Sequence, residues 1–409
     1  MRRMLCIVSE QQVPNVLGAL HYLPDQIHLL VTERFHEAEQ CINFAVALLH
    51  AGFPNAQAAL EHRLSATTHT EEITDVVRSL LAKYPADEWV FNMSGGTKPL
   101  AAALYAIGKA APNVQLIYMD VTRPTVFVDP TSGVETAIDV RLTLQDYFAA
   151  CLGRVGRPPI PSAEAQRVAV ELAALQQERF IASWKDYEGN GNDSARLFLT
   201  PENIHHRARL LPMLDAIETH RREKFLISGW LECLLFCAVN RVGRSFRVND
   251  ACHSLKTYSV DDSLTDQCGK PVVIENELDV AFTAENSLYW IECKAGSLNH
   301  AEGRFDSAHS NTGKSGKKGW AKKDDKRTDV AELFYNIAAK TKGFRALGAH
   351  GAIVACSDKV EQVQQLARAK LLGVAVFSLG DITDIARGLQ ANDLRRVKTV
   401  LAKWLPCYD

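Results

Sequence analysis

The residues with the clearest chemical potential form a short charged pattern inside an apolar part of the C-terminal half. Asp279 is followed thirteen positions later by Glu292-Cys293-Lys294. Side chains alternate in an extended strand, so Glu292 and Lys294 would project from one face and Cys293 from the other. Residues 285–287 (Glu-Asn-Ser) are turn-like, and a hairpin there would bring Asp279 beside Glu292. We therefore predict one site that combines two carboxylates with an ammonium group.

Two carboxylates and a lysine in this arrangement are typical of metal-dependent phosphodiester hydrolysis. Hard divalent ions such as Mg2+ take carboxylate oxygens and keep waters that contact phosphate. A nearby lysine can orient or deprotonate the attacking water, or stabilise the developing charge. Glu232, in an amphipathic helical segment, offers a third carboxylate, and Glu277 could be a further ligand. The alternative is an ordinary solvated face or a cross-strand ion pair. The sequence context argues against this alternative. Glu292 and Lys294 directly follow the apolar run Leu-Tyr-Trp-Ile, which is typical of a core strand, and charged side chains are rarely buried there without partners.

The full set of charged residues resembles a known nuclease superfamily. Gly229-Trp-Leu-Glu232, then Asp279, then Glu292-Cys-Lys294 resembles the PD-(D/E)XK restriction-endonuclease-like superfamily, in which a helix Glu, a strand Asp and a Glu-x-Lys strand surround the metal. The resemblance implies that Asp279, Glu292 and Glu232 hold Mg2+ or Mn2+ and that Lys294 positions or activates water. One position departs from the pattern, because Leu278 stands where the usual proline precedes the strand Asp.

The N-terminal part of the chain has a different organisation. Short apolar segments are expected to be strands at residues 4–9, 26–32, 89–93 and 114–120. Segments with helical spacing lie between them at residues 34–51, 70–84 and 97–110. This alternation predicts a doubly wound α/β unit with a mostly parallel sheet. Ligands of such sheets bind outside the carboxyl ends of the strands, where this sequence places polar loops.

The loop Ser94-Gly-Gly-Thr-Lys98 carries the sharpest of these signals. Gly95 and Gly96 permit close backbone approach, and Thr97 is expected to cap the next helix. The free N–H groups of a helix start can bind an anion. Lys98 in the first turn is disfavoured by the helix dipole, and a bound phosphate would give it a role. The alternative is a plain strand-to-helix connection. Neither a Walker loop nor a dinucleotide Gly-x-Gly-x-x-Gly motif is present.

The two halves together resemble the CARF-domain ancillary nucleases of type III CRISPR systems. The features that carry the resemblance are the Asn92–Lys98 loop, the segment Ser9–Asn15 after the first strand, and the C-terminal charged set. It implies a homodimer whose N-terminal domains bind a cyclic oligoadenylate, with cyclic tetra-adenylate the favoured ring size, and thereby switch on nucleic-acid cleavage. The ligand-site candidates that it implies are Ser9, Gln12, Asn15, Thr32, Gly95, Gly96, Thr97 and Lys98.

The composition and a Pro/Gly-rich break divide the chain into three predicted parts. A Pro/Gly-rich break at residues 153–161 suggests a CARF-like domain over 1–150, a linker and helical connector over 151–221, and an α/β nuclease domain over 222–409. No run of about 18 apolar residues exists, so no membrane association is expected and a cytoplasmic protein is predicted. The net charge of −2 gives no globally basic surface.

A local basic segment follows the predicted catalytic strand. Between Lys314 and Arg327 seven Lys or Arg and two Asp give a charge of +5. We expect this segment to contact the phosphate backbone of a DNA or RNA substrate, with Trp320 available to stack on a base. The candidate contact residues are Lys314, Lys317, Lys318, Trp320, Lys322 and Lys323. The alternative is a solvated insertion at residues 297–326 without a role in binding.

Three functions remain open at this point. The preferred one is a ligand-activated, Mg2+- or Mn2+-dependent endonuclease acting on DNA, RNA or both. A second is a standalone repair or restriction nuclease whose N-terminal domain only dimerises. A third is a nucleotide-sensing binding protein with an inactive nuclease fold. The Ser94–Lys98 loop argues against the second, and the intact Asp279, Glu292 and Lys294 set argues against the third.

Overall fold

Two β-sheets and the helices that cover them account for most of the residues that the structure describes. The structure, a computed structural model, describes residues 1–9, 12–33, 36, 40–54, 59–65, 70–119, 123–151, 154–175, 225, 229–265, 271–294, 330–343, 349–355 and 358–406. No helix within these ranges is both long and apolar enough to cross a membrane.

The N-terminal sheet has seven strands in the order β3-β2-β1-β4-β5-β6-β7. Its strands are β1 (Arg2–Ile7), β2 (Gln26–Thr32), β3 (Ala59–Leu64), β4 (Glu88–Asn92), β5 (Val114–Met119), β6 (Val126–Val128) and β7 (Glu135–Ala137). The neighbouring strands from β3 to β5 pair parallel, whereas β6 pairs antiparallel with both β5 and β7. The predicted mostly parallel, doubly wound sheet is therefore confirmed.

Helices cover both faces of this sheet. They are α1 (Val13–Tyr22), α2 (Gln40–His50), α3 (Thr70–Lys83), α4 (Lys98–Ala110) and α5 (Leu144–Cys151). Successive side chains of β1 point to opposite faces of the sheet. Met4 and Cys6 pack against α1, α2 and α5 on one face. Leu5 and Ile7 pack against α3 and α4 on the other. Both faces of the central strands are buried, as expected for parallel strands between helices.

The C-terminal sheet has six strands in the order β13-β12-β11-β10-β9-β8. They are β8 (Arg154–Gly156), β9 (Val248–Thr265), β10 (Pro271–Ala284), β11 (Ser287–Lys294), β12 (His350–Ala355) and β13 (Ala375–Phe377). Strands β8 to β11 pair antiparallel, while β11, β12 and β13 pair parallel. The helices are α6 (Ala163–Leu175), α7 (Trp230–Val242), α8 (Val330–Gly343), α9 (Val363–Leu371), α10 (Leu379–Gln390) and α11 (Leu394–Leu401).

Two segments differ from the pattern expected at the sequence level. The Pro/Gly-rich stretch at 153–161 contains β8, which adds an edge strand to the C-terminal sheet by pairing with β9. Residues 382–405 have a sequence that predicts one terminal helix, but the structure has two, α10 and α11. The break between them arises because Asn392 adopts a left-handed φ of 54° and Asp393 accepts a hydrogen bond from the backbone N–H of Arg396. The domain limits 1–150, 151–221 and 222–409 stay predictions.

Candidate functional site

The hairpin that joins β10 and β11 has the predicted geometry. Its antiparallel register runs as far as the pair Val280–Ile291, so Asp279 and Glu292 are the next residues on the two neighbouring strands. The two-residue turn consists of Glu285 and Asn286, with φ values of 50° and 60°. Positive φ at both central positions gives a turn whose twist matches that of the strands. The tight turn therefore fixes the register that brings the two carboxylates together.

Glu292 lies between two lysines. Its Oε1 accepts a hydrogen bond from Lys294 Nζ at 2.6 Å, and its Oε2 lies 3.6 Å from the Nζ of Lys340 on α8. The Glu292 side chain is only 13% exposed. As predicted, Glu292 and Lys294 share one face of β11, while Cys293 is buried on the other. Sequence reasoning missed Lys340, because no motif marks it and the parallel pairing of β11 with β12 that brings α8 alongside spans a long stretch of chain.

Asp279 has an electrostatic environment unlike that of an ordinary carboxylate. Its Oδ2 accepts a hydrogen bond from the backbone N–H of Cys293 at 2.6 Å. Burial, followed by the negative charges of Glu292 and Glu232, raises the pKa of Asp279 to about 7. That N–H group and the charge of Lys294 only partly oppose the rise. A nearby cation would favour the charged form of this carboxyl, because it would offset both the cost of burial and the repulsion by Glu292 and Glu232.

Lys294 is held as an ammonium ion. Burial disfavours its charge, but the charges of Glu292 and Asp279 and the hydrogen bond to Glu292 outweigh burial, and the pKa of Lys294 is raised. Of the roles expected from the sequence, orienting water or stabilising charge fits this state. Deprotonating water would require the neutral amine.

Glu232 reaches the same region from the first turn of α7. Its Oε2 accepts a hydrogen bond from Ser254 Oγ at 2.7 Å, and the side chain is only 6% exposed. The N-terminus of a helix favours a carboxylate through its dipole. Glu232 also lines a cavity of about 750 Å3, together with Ser254, Lys256 and Glu277. Its charge acts on Asp279, so the helix carboxylate lies close to the hairpin site.

The carboxylates of this site bear on whether it can hold a divalent metal ion. Across the described ranges, no group of three or more His, Cys, Asp or Glu side chains is arranged to hold a metal. Asp279 and Glu292 nevertheless fit Mg2+ or Mn2+, since they supply hard oxygen donors from neighbouring strands and repel each other without a cation. One or two carboxylates plus waters suffice for Mg2+. Glu232 hydrogen bonds to Ser254 instead of completing a three-carboxylate cluster.

The loop after β4 lies at the carboxyl edge of the N-terminal sheet. A side chain at Gly95 would overlap the carbonyl oxygen of Ile7, and one at Gly96 would overlap the Ile7 side chain. Gly96 also has a φ of 81°. Both glycines are therefore required by packing against the end of β1, whether or not a ligand binds.

The helix start after this loop differs from the expected cap. Thr97 occupies the N-cap position with an extended backbone, but its side chain makes no capping hydrogen bond. One reason is that Pro99, in the first turn, has no N–H to donate. Thr97 and Lys98 are both exposed at the end of this loop. Their side chains are thus accessible to an anion at the helix start.

Two of the predicted ligand-binding residues that follow β1 are buried and form hydrogen bonds within the protein. Gln12 and Asn15 are both 0% exposed. Asn15 Nδ2 donates to the Ile7 carbonyl at 2.9 Å and to Gln12 Oε1 at 3.0 Å, and Gln12 Nε2 donates to the Ser9 carbonyl at 2.6 Å. They hold the segment after β1 in place, whereas Ser9 and Thr32 are only half-buried at the same edge. The structure thus brings Ser9 and the Gly95–Lys98 loop to one edge, with Gln12 and Asn15 beneath.

The predicted nucleic-acid-binding residues lie in a part of the chain that the structure does not describe. These residues are Lys314, Lys317, Lys318, Trp320, Lys322 and Lys323. Their role stays a prediction.

Comparisons with known proteins bear on both halves of the chain. A family model described as the Card1 CARF domain matches residues 4–147. Can2 from Sulfobacillus thermosulfidooxidans, solved in complex with cyclic tetra-adenylate, is 16% identical, with a TM-score of 0.65 over 97% of this chain and 99% of Can2. The chain shares this fold over nearly its whole length. Protein VC1899 from Vibrio cholerae is also 16% identical, with a TM-score of 0.66 over 97% of this chain and 98% of that protein. No curated protein matches the sequence significantly.

Proposed function

We propose that the chain is a cyclic-oligoadenylate-activated, divalent-metal-dependent endonuclease that cleaves DNA, RNA or both in type III CRISPR defence. The single observation that carries the nuclease part is the β10–β11 hairpin, which sets Asp279 beside Glu292 with Lys294 hydrogen-bonded to Glu292. The match of residues 4–147 to a CARF domain supports the sensing part.

The proposed chemistry assigns a separate task to each charged group. A bound Mg2+ or Mn2+ would polarise the scissile phosphate and supply an activated water. Asp279 and Glu292 would hold the ion from opposite strands. Glu232 would contact it directly or through water from α7. Lys294, an ammonium held by Glu292, would orient the attacking water and stabilise the charge that develops on phosphate.

The proposed activator site lies on the N-terminal sheet. Cyclic tetra-adenylate is the ligand seen in Can2, which shares the fold. In this chain the exposed Thr97 and Lys98 at the start of α4 offer a hydroxyl, a positive charge and free helix N–H groups to a phosphate. Ser9 and Thr32 at the same edge would contact the ligand, with Gln12 and Asn15 supporting them. The active form is proposed to be a homodimer.

The test is a cleavage assay on single- and double-stranded DNA and RNA with Mn2+, with and without each cyclic oligoadenylate. We expect cleavage that requires both the metal and one ring size. Cleavage that ignores every cyclic oligoadenylate would favour a standalone nuclease whose N-terminal domain only dimerises. Tight cyclic oligoadenylate binding without any cleavage would favour a sensing protein with an inactive nuclease fold.

A further inference from the structure

A second lysine stands at the proposed metal site, outside the charged motif that identified it. Lys340 Nζ on α8 lies 3.6 Å from Glu292 Oε2, the carboxylate oxygen that Lys294 does not hold. The same ammonium lies 5.6 Å from the centroid of the Trp290 ring, two positions before Glu292 on β11. Lys340 is about one third exposed, so its head group can reach both the carboxylate and a solvent-borne substrate.

The helix that carries Lys340 is anchored beside the catalytic strand. Trp290 Nε1 donates a hydrogen bond to Thr341 Oγ1 at 3.1 Å, and Thr341 Oγ1 donates to the Ile337 carbonyl at 2.8 Å. A side chain at Gly351 on β12 would overlap both Thr341 and Ile337. The missing Cβ thus lets α8 approach the sheet closely. The backbone of Lys340 is therefore fixed next to Glu292 by its immediate neighbour.

Charge balance gives this second lysine a specific use. Asp279 and Glu292 form the proposed site, and Glu232 lies close enough for its charge to act on Asp279. Together these three carboxylates carry a charge of −3, which a divalent metal (+2) and Lys294 (+1) would offset. A phosphodiester adds one further negative charge. Lys340 supplies the matching positive charge. At 3.6 Å and with Lys340 about one third exposed, the Lys340–Glu292 ion pair is a weak source of folding stability.

We propose that Lys340 is a phosphate-binding catalytic residue, which pairs with Glu292 in the metal-free protein and transfers to the scissile or adjacent phosphate when a metal takes the Glu292 carboxylate. The proposal rests on the nuclease function proposed above. Its physical basis is competition for Glu292 Oε2, because a metal ion and the Lys340 ammonium group cannot both contact this oxygen. The ligand class is a nucleic-acid phosphodiester.

The experiment compares Lys340→Ala and Lys340→Arg with Lys342→Ala, which removes an exposed lysine two positions along the same helix. Mn2+ binding is measured by isothermal titration on the full-length protein without nucleic acid. Cleavage is measured separately at saturating activator. For Lys340→Ala we expect Mn2+ affinity equal to or a few-fold tighter than wild type, with kcat/KM lowered about 10²–10³-fold. Lys340→Arg should recover much of the loss, and Lys342→Ala should resemble wild type.

Two results would overturn the assignment of Lys340 alone. One is cleavage by Lys340→Ala within about threefold of wild type. The other is a parallel loss of Mn2+ binding and cleavage, which would make Lys340 a support for Glu292. A wild-type protein that neither binds Mn2+ nor cleaves would overturn the proposed function and this assignment with it.

Discussion

Asn286, at the tip of the β10–β11 hairpin, accepts a hydrogen bond from the backbone N–H of Leu142 at 3.0 Å, across 144 positions of sequence. Its amide nitrogen donates to the carbonyls of Val140 at 2.9 Å and Pro124 at 3.3 Å. The side chain is only 1% exposed. The strand pair that carries Asp279 and Glu292 is thus joined at its tip to the segment that follows the N-terminal parallel strands.

Removing the Asn286 side chain is expected to destabilise the protein strongly. Asn286→Gly keeps the left-handed turn but leaves Leu142 N–H and two carbonyls without this partner, so we expect a loss of about 2–4 kcal/mol in the free energy of unfolding. Urea unfolding of the full-length chain measures it. A loss below about 0.5 kcal/mol would show that water replaces these bonds at little cost.

The matched control for this variant is Asn392→Ala. Asn392 also has a positive φ but is exposed at a helix end. We expect only the backbone cost of a left-handed non-glycine residue there, about 1 kcal/mol. Asn286→Ala should cost more than Asn286→Gly by a similar amount, because it adds that backbone cost to the lost hydrogen bonds.

The raised pKa of Asp279 predicts how stability depends on pH in the metal-free protein. Because the folded-state pKa is about 7 and the ordinary value is 3.8, the native state holds this proton more tightly than the unfolded state. The stability contributed by the protonated form is present at low pH and is lost as pH rises through about 7. Asp279→Asn has no titratable carboxyl at this position. The Tm of Asp279→Asn minus the Tm of wild type should therefore increase as the pH is raised from 4 to 8.

Thermal unfolding with a chelator present would measure this difference. A Tm difference that stays constant or reverses with pH would contradict the electrostatic description of Asp279. Adding Mn2+ should stabilise wild type increasingly above pH 7, because metal binding needs the carboxylate form. Asp279→Asn should gain much less.

Lys98 is expected to determine activator affinity without affecting the metal site. Lys98→Ala removes the exposed cation at the start of α4, so we expect weaker cyclic oligoadenylate binding and a higher activator concentration for half-maximal cleavage. The maximal rate at saturation should change little, because Lys98 is assigned to the N-terminal sheet alone. Isothermal titration and an activation curve measure both quantities.

Lys109→Ala is the control for Lys98, since it removes an exposed lysine from the last turn of the same helix. It should bind the activator like wild type. Equal affinity in Lys98→Ala and wild type would refute the phosphate-binding role of the Gly95–Lys98 loop.

Much of the fold was predictable because its signals are local. Apolar strands buried on both faces and turn-like residues at 285–287 were visible in sequence. The structure places the turn at Glu285 and Asn286, with the hairpin expected from those residues. Strand β3 was missed because half of its sequence, Ala-Leu-Glu-His-Arg-Leu, is polar and does not alternate with the apolar residues. Polar residues are tolerated there because β3 lies at a sheet edge. Strand β8 was missed because prolines follow it closely.

The candidate site was predictable only where a motif marks it. Asp279, Glu292, Lys294 and Glu232 carry such a motif. Lys340 and Ser254 do not, because their proximity to the site arises from the packing of helices α7 and α8 against the sheet. Likewise, the burial of Gln12 and Asn15 depends on their hydrogen bonds to Ile7 and Ser9, which no local pattern indicates.

The most direct test of the central claim is Mn2+-dependent cleavage by wild type and Glu292→Gln at saturating cyclic tetra-adenylate. Glu292→Gln removes one negative charge from the proposed metal site with almost no change in volume. We expect it to bind cyclic tetra-adenylate like wild type but to cleave at least about 10²-fold more slowly. Cleavage by Glu292→Gln at the wild-type rate, with the same metal dependence, would contradict the assignment of the nuclease site to the β10–β11 hairpin.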